Sequence, residues 1–165
     1  MANMFLKLTN IHGESRDHKH HGEIEIHDWD WGIGNAASFR LKAEEAAKQT
    51  QVDHLFVHKF FDKASTTLMN YCANGRQIDE AVITCRKNDG DQQVEYLKII
   101  LTGVKVDGVK WTSKGEDVRG IPEAVELSFF HFKVVYQMQI QDGSLAGKHD
   151  FEFDVPDDKA KPGGK

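Results

Sequence analysis

The stretch Val125 to Ile140, VELSFFHFKVVYQMQI, limits what this chain can fold into more than any other. Side chains alternate between the two faces of a strand, so a half-buried strand keeps its apolar residues at one parity. Here the even positions hold Phe130, Phe132, Val134, Tyr136, Met138 and Ile140, while the odd ones hold Val125, Leu127, Phe129 and Val135. Both faces need cover. One can fill a small barrel, but the other must meet a helix, a second subunit, or a bulge that shifts the phase. Ile24 to Gly32, IEIHDWDWG, repeats the problem: Ile24 and Ile26 lie at even positions, Trp29 and Trp31 at odd ones. One short helix cannot cover every second face, so the pattern argues for self-association.

The rest of the chain reads as a mainly β, small antiparallel barrel with one flanking α-helix. Strands are expected at Met4–Thr9, Ile24–Gly32, Val52–Phe61, Ile78–Arg86, Val94–Val106, Val125–Ile140 and, as a final edge, His149–Val155. The helix follows Phe61. Asp62 or Ser65 can cap it, Ala64, Leu68, Tyr71 and Cys72 recur at helical spacing, and Asn74-Gly75 ends it, since glycine enters the left-handed region freely. Ala43–Gln49 has helix formers over only about two turns, too few to stand alone, and reads as a loop or a labile turn. Glu14–Gly22, ESRDHKHHG, reads as a polar loop too charged to hide, and Asp107–Pro122 as a flexible, glycine-rich excursion.

A chain of 165 residues suits one domain, expected over residues 1–155, with 156–165 a flexible tail. The net charge of -5 offers no broad field for nucleic acid. No run of 18 apolar residues and no basic, apolar leader occurs, so no membrane insertion is expected, and synthesis in the cytoplasm without a cleaved signal peptide is. Cys72 and Cys85 form no C-x-x-C pair and read as free thiols.

Nine histidines invite a search for chemistry. Gly13, His18, His20, Glu25 and Gly32 fall one residue short of the spacing by which cupins hold a metal. The second cupin motif is missing, however, and these ligands sit in a charged loop rather than in a strand that excludes water. The bland alternative is a solvated loop. His54 and His58 read as surface histidines of a strand. No nucleophile elbow, phosphate loop or dinucleotide fingerprint is present, and Asp89-Gly90-Asp91 fits a hairpin turn better than a calcium loop. The expectation is therefore no enzyme, no catalytic residues, no metal and no cofactor; a cupin-like metal-dependent enzyme or a monomeric binding module are the alternatives.

Several segments in order resemble the haemolysin-coregulated protein (Hcp) family of bacterial type VI secretion. They are Phe5-Leu6-Lys7-Leu8, Gly13-Glu14-Ser15 with Asp17, Trp29-Asp30-Trp31-Gly32, Asp62-Lys63-Ala64-Ser65 with Leu68-Met69 and Cys72, Gly75, Arg86-Lys87, Gln93 to Leu97, and Tyr136. The resemblance runs from about Met4 to Ile140. It implies a hexameric ring of β-barrels, stacked into an inner tube that a contractile sheath drives out with its spike, so the partners are further copies of the chain, spike, sheath and effector proteins. It also implies export through that system. In such a ring Trp29, Trp31 and Gly32 serve packing, and Asp30 faces the lumen as a candidate effector contact. The loop carrying Glu14, Ser15, Asp17, His18, His20 and His21 becomes a candidate inter-subunit or stacking contact, and protonation of its histidines near pH 6 would weaken stacking. The segment after Trp31 lacks the glycine-rich run that some relatives carry.

Overall fold

The structure, a computed structural model, describes residues 3–113, 118–139 and 145–155. In chain order the elements are β1 (Met4–Leu8), β2 (Ile24–Ile26), β3 (Asp28–Asp30), β4 (Ile33–Asn35), α1 (Ala43–Ala47), β5 (Thr50–Val52), β6 (Leu55–Phe60), α2 (Lys63–Asn74), β7 (Gln77–Asp89), β8 (Gln92–Trp111), β9 (Pro122–Gln139) and β10 (Leu145–Asp154). The main sheet runs β2-β1-β7-β8-β9-β6-β3, all antiparallel, with β10 added to β9. Its two ends, β2 and β3, are separated in sequence by His27 alone, so one segment closes the sheet into a barrel.

The stretch Ile24–Gly32 is thus two strands rather than the single one expected. β2 pairs with β1, β3 pairs with β6, and His27 N–H donates to His58 O at the bend between them. Ile24 and Ile26 are buried before the bend and Trp29 packs against the core after it. The change of parity is a local phase shift.

The long strands solve the two-face problem in the same way. Buried positions pass from Ile78 to Ala81, Ile83 and Cys85 in β7, from Leu101 to Val104 in β8, and from Phe129 to Phe132 in β9. These switches sit at one level, because Ile78, Val104 and Phe129 are cross-strand neighbours, as are Ala81, Leu101 and Phe132. Between them lies Gly103, with φ at 65°, where a Cβ would stand 2.4 Å from Phe130 Cδ2. Only glycine enters that region freely, so the sheet creases there and each strand turns its other parity to the core. Beyond the crease Phe132 packs with Trp31, Phe151 and Phe153. Much of the two-faced pattern is spent inside a single chain, which weakens the argument from it to self-association.

α2 begins and ends as its sequence dictates. Asp62 accepts from Ala64 N–H, Ser65 Oγ accepts from Asp62 N–H, and Gly75 closes the helix at φ 60°. Ala64, Leu68 and Tyr71 are buried, facing β8. Gly90, with φ at 56°, sits in the β7–β8 turn.

Other boundaries depart from expectation. Val52–Phe61 breaks at Asp53-His54 into β5 and β6. Asp107–Trp111, assigned to the excursion, continues β8 because it pairs with β9 as far as Trp111–Glu123. Ala43–Ala47 does form a helix of five residues, held within an arm made by β4 and β5. The tail 156–165 lies outside the described residues.

Candidate functional site

No cluster of three or more His, Cys, Asp or Glu side chains fit for a metal occurs among the described residues. What the chain offers instead is a set of surfaces, and three of them involve residues singled out in the sequence.

The first is the loop from Gly13 to Glu23. It folds back on itself, since Gly13 N–H donates to Gly22 O (2.8 Å), Ser15 N–H to Glu23 O (3.0 Å) and Gly22 N–H to Ser15 O (2.8 Å). Gly13 has no alternative at this approach, because a Cβ would lie 2.4 Å from Glu23 O. Glu14, His18 and His21 are exposed, but the expected solvated loop is corrected at Ser15 and His20, which are buried. The reason is a tether on each side. Asp17 grips Arg86 of β7 through both carboxylate oxygens (2.7 and 3.1 Å) and also accepts from the N–H groups of Lys19 and His20. The Arg86 hydrogen bond outweighs the effect of burial and holds the Asp17 carboxyl down to about 2. His20 lies flat on Phe5, ring centroids 4.3 Å apart, and its two nitrogens face Glu23 (2.8 Å) and Glu95 (3.1 Å). The cupin-like ligand set is therefore not assembled: both nitrogens of His20 are taken by carboxylates, while His18 and Glu25 are exposed.

The second surface surrounds Asp30, whose side chain is 73% exposed and accepts a 2.9 Å hydrogen bond from His58 Nε2. Trp29 and Trp31 turn away from it. Burial pushes the Cys85 thiol above its ordinary pKa, with the nearby Trp29 side chain acting in the opposite direction. Trp31 meets Phe132 edge-on at 4.7 Å and donates from Nε1 to Asp53 O at 3.0 Å. Gly32 O accepts from Asp53 N–H at 3.0 Å in that turn.

The third surface is the β4–β5 arm, which sequence reasoning left as a loop. Asn35 bonds Ala46 O and Thr50 Oγ1 across it, and Phe39, at 93% exposure, projects into solvent with Ile33 and Leu41. Its signal in the sequence was two apolar residues, Phe39 and Leu41, stranded among polar ones.

Sequence reasoning also missed a buried charge cluster at the start of α2. Lys59, with no exposed surface, donates to Asp62 (2.9 Å), Ser65 (3.1 Å) and Glu123 (3.2 Å), and Glu123 accepts from Trp111 Nε1 (2.9 Å). A signal was available: Lys59 shares the core parity of Leu55 and Val57, and Glu123 that of Val125 and Leu127. His54 and His58, read as surface residues, are partly exposed and paired to Glu126 and Asp30.

Comparison with known proteins places this architecture. Residues 5–136 match the model of a family described as type VI secretion system effector, Hcp. The protein hcp1 of Pseudomonas aeruginosa is 36% identical over 146 residues, 88% of this chain and 90% of its own. The crystal structure of Hcp1 from Salmonella typhimurium, 33% identical, superposes with a TM-score of 0.76 over 94% of this chain and 96% of its own. That of a type VI secretion system effector from Yersinia pestis, 28% identical, gives 0.73 over 92% and 99%.

Proposed function

The chain belongs to the Hcp family of type VI secretion, and from that premise we propose that it is a structural subunit of the system's inner tube. Six copies form a ring, rings stack, a contractile sheath drives the tube and its spike outward, and effectors travel in the lumen. The observation that carries this reading is the family match across residues 5–136. Export through the type VI system follows from membership.

The surfaces support particular roles. Phe130, Tyr136, Met138 and Phe151 leave exposed apolar area along β9 and β10, and a neighbouring subunit would cover it. Asp30, exposed beside His58 while Trp29 and Trp31 face inward, is suited to touching cargo. The exposed Glu14, His18 and His21, together with the β4–β5 arm, are suited to contacts between rings. Electron microscopy of the purified protein tests the assembly: rings with an open centre, joining end to end at high concentration, are expected, and a field of isolated small particles at all concentrations would refute it.

A further inference from the structure

The buried imidazole of His20 is an unusual fastening for a loop. Each of its nitrogens lies at hydrogen-bond distance from a carboxylate, Nδ1 from Glu23 Oε2 at 2.8 Å and Nε2 from Glu95 Oε1 at 3.1 Å. A neutral imidazole carries one N–H and one lone pair, so it can serve only one of the two; the imidazolium serves both. With the residue only 5% exposed, water has little access to replace a lost bond, and a lone pair turned on a carboxylate is repulsive. We infer that His20 is a pH-sensitive clamp: protonated, it holds the Gly13–Glu23 loop against β1 and β8, and on deprotonation the loop loosens.

Charged groups of both signs face the ring from the elements packed around it. Glu23 comes from the loop itself and Glu95 from β8. Burial pushes the Glu95 carboxyl up, but Lys98, 2.9 Å away, and His20 outweigh it and hold it below its ordinary range, so Glu95 is an anion at neutral pH. β1 contributes the face of Phe5, on which His20 stacks. The opposing charge comes from β7, where Arg86 lies 4.5 Å from the centre of that same Phe5 ring with Asp17 as its counter-ion. Because the second bond exists only with the proton, the clamp is complete at low pH and is lost as pH rises through the titration of His20. The direction is opposite to that expected for a loop of solvated histidines. Asp17 and Arg86 keep their charges throughout, so the loop stays anchored at Asp17 and opens at its Gly22 end.

Any effect on ring stacking rests on the proposed role of this loop, whereas the clamp itself is read without it. The experiment is amide hydrogen exchange on rings kept dilute enough not to stack, at pH 5.5, 7.0 and 8.5, corrected for intrinsic exchange rates, with the His20 ring nitrogens followed by NMR. The protection of the Ser15, Gly22 and Glu23 amides is expected to fall about tenfold or more, in step with the His20 titration, as one hydrogen bond to a charged group is lost. Leu101 in β8 stays constant, and in H20Q the pH dependence at the loop disappears. Should H20Q fail to fold, the wild-type comparison decides alone. Loop protection that is unchanged while the ring titrates, or a neutral ring throughout with the loop closed, would overturn the clamp. Altered stacking with constant loop protection would also overturn it, while leaving the tube reading in place.

Discussion

Lys59 sets a demanding test of how the barrel is held in register. Its ammonium is fully buried and spends all three N–H bonds, on Asp62 (2.9 Å), Ser65 (3.1 Å) and Glu123 (3.2 Å). Glu123 is the direct cross-strand neighbour of Lys59 on β6 and of Trp111 on β8, so the cluster ties β6, β8, β9 and the first turn of α2 at one point. Lys59→Met keeps the length of the side chain and deletes the charge. Glu123, whose side chain has no exposed surface, is then left as a buried anion whose remaining hydrogen bond among the described residues comes from the Trp111 N–H. Stranding one partner of a buried pair costs about 3–5 kcal/mol, a large part of the roughly 5–15 kcal/mol that holds an ordinary domain together. Adding Glu123→Gln removes the stranded charge while keeping an acceptor for Trp111, so the double variant is expected to be more stable than Lys59→Met alone. Urea denaturation of both variants at one protein concentration provides the measurement, since assembly adds to apparent stability. A loss of under about 1 kcal/mol for Lys59→Met would refute the reasoning, given the cost expected for an uncompensated buried charge. So would a double variant less stable than the single one.

Further expectations concern other parts of the chain. Gly103→Ala forces a Cβ to within 2.4 Å of Phe130 at φ 65° and should cost at least about 1–2 kcal/mol in denaturation, with part recovered in a Phe130→Ala background. Asp17→Asn should lower the urea midpoint at neutral pH. Because the folded Asp17 carboxyl is depressed from 3.8 to about 2, the advantage of the wild type is full above about pH 4 and shrinks as pH falls toward 2. Asp30→Lys, at an exposed site, should change stability by no more than about 0.5 kcal/mol yet reduce co-export of effector in a secretion assay; unchanged export would remove Asp30 from the cargo surface. Iodoacetamide should modify Cys72 well before Cys85 in the folded protein, because Cys85 is buried with its thiol pushed up, and at equal rates in denaturant.

Local patterns announced most elements and failed where a distant strand decided the outcome. The α2 caps could be read directly, because Asp62, Ser65 and Gly75 act within a few residues of themselves. Strand ends could not: β8 runs on to Trp111 because β9 pairs with it, which no local pattern records. The two-faced strands were visible but their remedy was ambiguous, as a phase shift and a subunit contact leave the same alternation. Gly103 was the residue that distinguished them, and a lone glycine within a β run is a standing signal for such a crease. The histidine loop misled for another reason. His20 is covered by Phe5 of β1 and Glu95 of β8, which approach from other strands, so charge density alone pointed to solvent. The Hcp resemblance, resting on the order of many short segments rather than one motif, carried what periodicity could not.

Native mass spectrometry of the purified protein without added metal bears most directly on the tube-subunit reading. A dominant hexamer of the 18.7 kDa chain, free of metal, is the expected result. A monomer with one bound metal ion would contradict the account and return attention to the His20 loop as an active site.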